Sequence, residues 1–191
     1  MAKREKKAQS QQKKRIMDYI KKHPEAVKIE LDEEKVAEMQ EQEEKEEKDA
    51  IKGDLHFWGV WHGGDPFNRF TELRPRFCSE FGFQSLSSRE TAATFCPENA
   101  LKSGSPEFEW HQKNKSADDN IGGNDRIRHS FSRYFREPKD FDSMLYLSQV
   151  QQGLAIKTAV EGWRTLRPYC MGTVYWQLND LWPVASWSSL E

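Results

Sequence analysis

Glu80 is the residue whose surroundings most clearly suggest chemistry. It stands in the stretch RFCSEFGFQS, residues 76–85, between two apolar or aromatic blocks. Burying a carboxylate is costly unless it is hydrogen-bonded or paired, so a glutamate in this place needs a partner or a task. All seven Trp and all eleven Phe of the chain follow Lys52. Aromatic rings stack on the C–H faces of sugars, and a carboxylate can attack an oxocarbenium-like centre. The pattern therefore leaves two interpretations open, a sugar site or an ion pair with Arg74 or Arg76.

The other reactive side chains indicate no metal or cofactor chemistry. The chain has three cysteines, Cys78, Cys96 and Cys170, and no Cys-x-x-Cys spacing. We interpret them as reduced thiols and expect a cytoplasmic protein. His111 and His129 have no partners at metal-ligand spacing and are expected to be loop or surface histidines. The net charge of −2 gives no signature of nucleic-acid or membrane binding, and no apolar run is long enough to span a membrane.

The elements around Glu80 alternate between strand and helix patterns. Residues 54–64 predict a short aromatic strand, and residues 75–85 predict a buried strand that stops near Glu80. A helix is predicted after these strands, with Ser87 and Glu90 in capping-box spacing. Residues 97–125 are rich in Gly, Asn, Ser and Pro and are predicted to be mostly loop.

A long amphipathic helix is predicted over residues 140–166, capped by Asp140 or Asp142. Residues 170–180 predict a further strand, with Trp176 near its end. This order indicates an α/β fold with parallel strands and crossovers. In parallel α/β barrels the chemistry lies at the C-terminal ends of the strands, where Glu80 and Trp176 are both predicted to stand.

Residues 1–52 differ from the rest of the chain. They contain no Trp, Phe or Cys, begin basic, turn acidic, and are about half charged. The composition predicts a charged segment that is mainly helical or disordered. A sharper alternative takes residues 15–39 as the opening of a helix-turn-helix domain, but no apolar third helix follows. We therefore divide the chain into residues 1–52 and 53–191.

Four stretches resemble the β-mannosidases of glycoside hydrolase family 2: RFCSEFGFQS, GGNDRI, YLSQVQQGLAIKTAVEGWR and MGTVYWQLNDLWPVASWSSLE. The resemblance covers about residues 53–191 and implies the last three or so strands of a (β/α)8 barrel. It implies that Glu80 is the nucleophile of a retaining glycosidase. It also implies sugar-pocket roles for Trp176 and, on the strand beside the nucleophile, for Trp58, Trp61 and His62. Related enzymes often place a Tyr on that strand to orient the nucleophile. This strand has none.

The activity implied by the resemblance is hydrolysis of terminal β-D-mannose residues from β-mannosides. The family takes its general acid from an Asn-Glu pair, and this sequence contains no such dipeptide. Glu109 and Asp180 are weak substitutes, because loop carboxylates are usually solvated and Asp180 suits a loop brace. Whether the chain is an enzyme therefore stays open.

The alternative is a non-catalytic remnant that acts as a binding or interaction protein through its charged N-terminus. For the glycosidase, the expected partner is a β-mannoside or oligosaccharide, without cofactor, nucleic acid or membrane. A second chain that supplies the missing barrel strands is an open alternative.

Overall fold

The computed structural model describes residues 53–114 and 121–190. The charged segment predicted over residues 1–52, together with its helix-turn-helix alternative, lies outside the described residues. The described part is a mixed α/β unit with a small parallel sheet and helices around it.

The sheet pairs two parallel strands, β1 (Asp54–Phe57) and β2 (Phe77–Phe81). Residues 171–176 run along the other edge of β2. The bridge between Cys78 and Thr173 shows that they are also parallel to β2. The Val174 amide donates to the Cys78 carbonyl at 2.9 Å, and the Trp176 amide donates to the Phe81 carbonyl at 2.7 Å. The strand predicted near Trp176 thus lies in the expected place, but it pairs too irregularly to form a full ladder.

The helices have the following bounds: α1 Arg69–Glu72, α2 Arg89–Phe95, a short 3₁₀ helix Glu98–Ala100, α3 Pro106–Trp110, α4 Gly123–Phe131 and α5 Phe141–Arg164. The long helix α5 is the one that the apolar periodicity predicted. Asp140 is its N-cap, accepting from the Ser143 amide at 2.8 Å, so the first of the two predicted caps is confirmed.

Helices α1 and α5 cover one face of the sheet through four aromatic rings. Phe57 of β1, Phe70 of α1, Phe81 of β2 and Trp163 of α5 meet edge to face, with centroids 4.9–5.7 Å apart. Each of the four is at most 1% exposed. Edge-to-face contacts add to the hydrophobic gain of burial, so this cluster fixes the sheet against its helices.

Two details differ from the sequence-based predictions. The cap of α2 is Ser88, whose Oγ accepts from the Thr91 amide at 3.2 Å, and not Ser87. The stretch predicted to be mostly loop also contains α3 and the start of α4. Helix α3 begins at a Ser105 cap and buries Phe108. Helices this short are stabilised mainly by tertiary packing, which local composition does not reveal.

Candidate functional site

A β-bulge aims Glu80 away from the core. Leu55 pairs with Cys78, but the next residue, His56, pairs with Glu80, so Ser79 is the extra residue on β2. With regular pairing, side chains alternate and Glu80 would share the core face of Cys78. The bulge instead places Glu80 on the uncovered face beside His56 and returns Phe81 to the core.

The Glu80 carboxylate is anchored through one oxygen. The Trp58 indole Nε1–H donates to Glu80 Oε1 at 2.8 Å, and His56 Nδ1 lies 3.8 Å from the same oxygen. Within residues 53–114 and 121–190, no donor to the other oxygen, Oε2, is found. The side chain is 31% exposed, so Oε2 can meet a molecule that enters from solvent. With one oxygen held and the other available, Glu80 is arranged so that it can act as a carboxylate nucleophile.

Four aromatic residues surround Glu80 in an open cleft of about 270 Å³, namely Trp58, His62, Trp176 and Trp187. Trp58 lies 5.2 Å from His62 and 6.0 Å from Trp187, centroid to centroid. Trp176 is 46% exposed and presents its ring to solvent. A small cleft with aromatic walls and one carboxylate suits a sugar ring, which offers C–H faces for stacking and hydroxyls for hydrogen bonds.

Gly82 allows the walls of this cleft to come together. A Cβ at this position would collide with the Trp176 carbonyl oxygen, and it would lie 3.1 Å from the rings of Trp58 and Trp187. The glycine that follows Glu80 and Phe81 in the sequence is therefore needed for close approach of the neighbouring segment.

Three of the four aromatic residues predicted for the pocket, Trp58, His62 and Trp176, line the cleft with Glu80. Trp61 does not line it. Its ring is 1% exposed and packs edge to face on Trp187, at 6.2 Å between centroids. Trp61 thus supports the cleft from behind.

The alternative ion pair of Glu80 with an arginine is not formed. Both candidate guanidinium groups lie over the ring of Tyr169 instead, Arg74 at 5.8 Å and Arg76 at 5.2 Å. The partners of Glu80 are Trp58 and His56, so the glutamate is tied to the cleft and not to a surface charge network.

The two substitute carboxylates have structural partners elsewhere. Glu109 accepts from Asn124 Nδ2 at 3.0 Å. Asp180 accepts from Lys113 Nζ and from the Leu181 amide, each at 3.0 Å, and its side chain is only 6% exposed. Burial alone would raise the pKa of Asp180, but the hydrogen bonds from Lys113 and the backbone outweigh it and lower that pKa. Asp180 is the loop brace that the sequence favoured.

The remaining reactive groups are structural. All three cysteines are free and buried, and burial raises the pKa of the Cys78 thiol to about 12. His111 Nδ1 donates to the Pro183 carbonyl oxygen at 2.6 Å, and the ring stacks on Phe95. Among the described residues no group of His, Cys, Asp or Glu could hold a metal ion. No helix of this part of the chain has the length and apolarity to cross a membrane.

Comparison with known proteins identifies the relatives of this chain. No family model matches it. The β-mannosidase of Bos taurus is 35% identical over 159 residues, which are 75% of this chain and 17% of that protein. β-Mannosidase B of Aspergillus flavus is 34% identical over 148 residues, with the same shares of the two chains. The homologues of this chain are β-mannosidases.

A solved β-mannosidase structure agrees with this result. The crystal structure of β-D-mannosidase from Dictyoglomus thermophilum superposes with a TM-score of 0.66 at 40% identity, over 71% of this chain and 16% of that one. The resemblance predicted from the sequence is therefore confirmed. The chain spans about 17% of the length of the β-mannosidases that it matches.

The resemblance to β-mannosidases did not lead to two residues of the cleft's surroundings, nor to one of its hydrogen bonds. Trp187 lines the cleft, and His56 lies beside Glu80. Trp58 was predicted as a pocket residue, but its hydrogen bond to Glu80 was not. One signal was available for His56, since it stands two residues before Trp58 in the predicted aromatic strand.

Proposed function

We propose that residues 53–191 carry the nucleophile-bearing part of a retaining β-mannosidase site, on about the last three strands of a (β/α)8 barrel. The observation that carries this proposal is the Glu80 carboxylate, held through Oε1 by Trp58 within an aromatic cleft. The relationship to β-mannosidases, over a limited share of their length, supports a β-mannoside as the substrate.

In the proposed reaction Glu80 Oε2 attacks the anomeric carbon of a terminal β-mannoside. The C–O bond to the leaving group breaks, and a covalent mannosyl ester forms on Glu80. Water then cleaves that ester and restores the carboxylate. Trp58 keeps Oε1 in place, while Trp176, Trp187 and His62 enclose the sugar ring.

Protonation of the leaving oxygen needs a second carboxylic acid. The sequence has no Asn-Glu pair, and both Glu109 and Asp180 are engaged in other contacts. We therefore assign only the nucleophilic step to residues of this chain.

We further propose that additional barrel strands, from another chain, cover the open face of the sheet. Because bridged residues share a face, Val174 and Trp176 lie opposite the core face of Cys78 and Thr173. Val174 is 55% and Trp176 46% exposed. Parallel sheets are normally covered on both faces, so this exposed face suits a cover supplied by another chain. The buried, free cysteines support a cytoplasmic location.

The test is covalent labelling of the full chain with 2-deoxy-2-fluoro-β-D-mannosyl fluoride. Fluoride leaves without general-acid help, which is typically worth about 10²- to 10⁴-fold for poor leaving groups. Peptide mapping should find the mannosyl adduct on Glu80.

Glu80→Gln should abolish labelling, because the amide has nearly the same shape but is a poor nucleophile. The matched control is Glu109→Gln, which should leave labelling intact. An adduct on Glu109 or Asp180 with Glu80 unmodified would refute the assignment.

A further inference from the structure

His56 lies between two carboxylates on the uncovered face of the sheet. Its Nδ1 is 3.8 Å from Glu80 Oε1, and its Nε2 is 3.9 Å from Asp54 Oδ2. Only a doubly protonated imidazole can donate toward carboxylates from both nitrogens. In its protonated form the ring can pair with Glu80 in a site where, apart from Trp58, no other described donor reaches that carboxylate.

Asp54 is itself held in place by the bulge. Ser79 Oγ donates to Asp54 Oδ2 at 2.7 Å, and the Ser79 amide donates to Oδ1 at 3.2 Å. The hydrogen bond from the Ser79 hydroxyl lowers the pKa of Asp54, so this carboxylate stays ionised. The charged groups facing the His56 ring are accordingly Asp54 on its own strand and Glu80 on β2.

We propose that His56 is a positioning residue for Glu80. In this role the imidazolium faces Asp54 with Nε2 and Glu80 with Nδ1. It keeps Glu80 Oε1 against the Trp58 indole and leaves Oε2 directed at the substrate. The role rests on the proposed function of Glu80 as nucleophile, but the contact between His56 and Glu80 can be tested without any substrate.

The size of the effect follows from the exposure of the ring. The His56 side chain is 59% exposed, so water and salt screen its charge. Exposed ion pairs are weak, and we expect loss of the charge to change a rate by about threefold. One molar salt shortens the screening length to about 3 Å and should reduce that difference.

The first measurement is the indole N–H resonance of Trp58 in the ¹⁵N-labelled full chain, assigned by its absence in Trp58→Phe. Glu80→Gln, which removes the acceptor charge, defines the direction of the shift. His56→Gln should move the resonance in the same direction. The matched control, His129→Gln on the exposed surface of α4, should leave it in place.

The second measurement is the rate of labelling by 2-deoxy-2-fluoro-β-D-mannosyl fluoride. His56→Gln should lower the maximal rate about threefold and leave the half-saturating concentration unchanged, because His56 lies beside Glu80 but does not line the cleft. His56→Lys, which returns a cation, should restore part of the rate. His129→Gln should behave as the unmodified chain does.

The outcomes separate the two proposals. If the unmodified chain is not labelled but His56→Gln still moves the Trp58 resonance, the proposed function fails and the positioning contact stands. If the unmodified chain is labelled and His56→Gln changes neither resonance nor rate, the positioning role is refuted and the proposed function stands. A rate lost in His56→Gln and not recovered in His56→Lys would also refute the role, since it would indicate a structural need for the ring.

Discussion

Replacement of Trp58 by Phe is the most direct test of how the nucleophile is oriented. The substitution removes the indole Nε1–H, which donates to Glu80 Oε1 at 2.8 Å, and keeps an aromatic ring in the cleft wall. Hydrogen bonds to charged groups contribute about 1.5–3 kcal/mol. Since the Glu80 side chain is 31% exposed and water partly replaces the donor, we use the lower end, about 1.5 kcal/mol.

Two effects of this hydrogen bond oppose each other. The donor lowers the energy of the free carboxylate and so reduces its nucleophilicity, but it also holds the carboxylate in the orientation that attack requires. Orientation of reacting groups is worth far more than a single hydrogen bond in general, so we expect its loss to dominate. The orientation is held only as strongly as the hydrogen bond itself, at about 1.5 kcal/mol. At about 1.4 kcal/mol per factor of ten, its loss should make labelling about tenfold slower in Trp58→Phe.

The assay is the pseudo-first-order rate of labelling by 2-deoxy-2-fluoro-β-D-mannosyl fluoride, followed by intact mass. Trp58→Tyr should recover part of the lost rate, because the tyrosine hydroxyl supplies a donor from the same position in the chain. Trp110→Phe is the matched control: Trp110 is 67% exposed on α3 and does not line the cleft. An unchanged or faster rate in Trp58→Phe would show that the hydrogen bond does not orient the nucleophile.

Three further predictions concern the surroundings of the site. Gly82→Ala should lower the melting temperature, because overpacking against the Trp176 carbonyl costs about 1–3 kcal/mol. The control is Gly153→Ala, whose added methyl would meet nothing within 4 Å. A Gly82→Ala chain that melts at the temperature of the unmodified chain would contradict the close approach. Asp180→Asn should be less stable than the unmodified chain at pH 7. The difference in stability should shrink as the pH falls from the ordinary aspartate pKa of 3.8 through the lowered pKa of Asp180 in the folded chain, because the stabilising ionised form is then lost. Thermal unfolding at pH 7 and in acid measures this difference, and a difference that persists in acid would rule out the charge as its cause. Cys78 should resist alkylation by iodoacetamide at pH 8 until the chain is unfolded, since burial raises the pKa of its thiol to about 12. Mass mapping measures this reaction, and rapid alkylation of Cys78 in the native chain would show that the sheet opens.

The sequence predicted the elements whose patterns are local. The apolar spacing and the Asp140 cap specify α5 without reference to the rest of the chain. The aromatic runs likewise specify β1 and β2. The short helix α3 was missed because its stability depends on the burial of Phe108, and the irregular pairing of residues 171–176 also depends on tertiary surroundings.

The composition of the cleft could be predicted only in part. Glu80, Trp58, His62 and Trp176 were found through the resemblance, whereas Trp187 comes from a distant loop and carries no local signal of its own. The placement of Trp61 also required the structure. It stands three residues after Trp58, and a turn in which the Trp61 amide donates to the Trp58 carbonyl at 3.1 Å sends the two rings to different sides.

The direction of the Glu80 side chain is the part of the site that no periodic reading of the sequence could supply. In the stretch FCSEF, strict alternation assigns Glu80 to the face of Cys78 and Phe81 to the opposite face, the reverse of what the fold needs. The bulge at Ser79 corrects both assignments with one residue. A bulged residue is left unpaired in the ladder, and here the Asp54 carboxylate receives its amide and its hydroxyl. The same carboxylate lies behind His56, so the group that stabilises the bulge also faces the residue proposed to position the nucleophile. The polar side chains of β1 therefore bear on Glu80 in two ways: Asp54 stabilises the bulge that orients it, and in the proposed role His56 holds its Oε1.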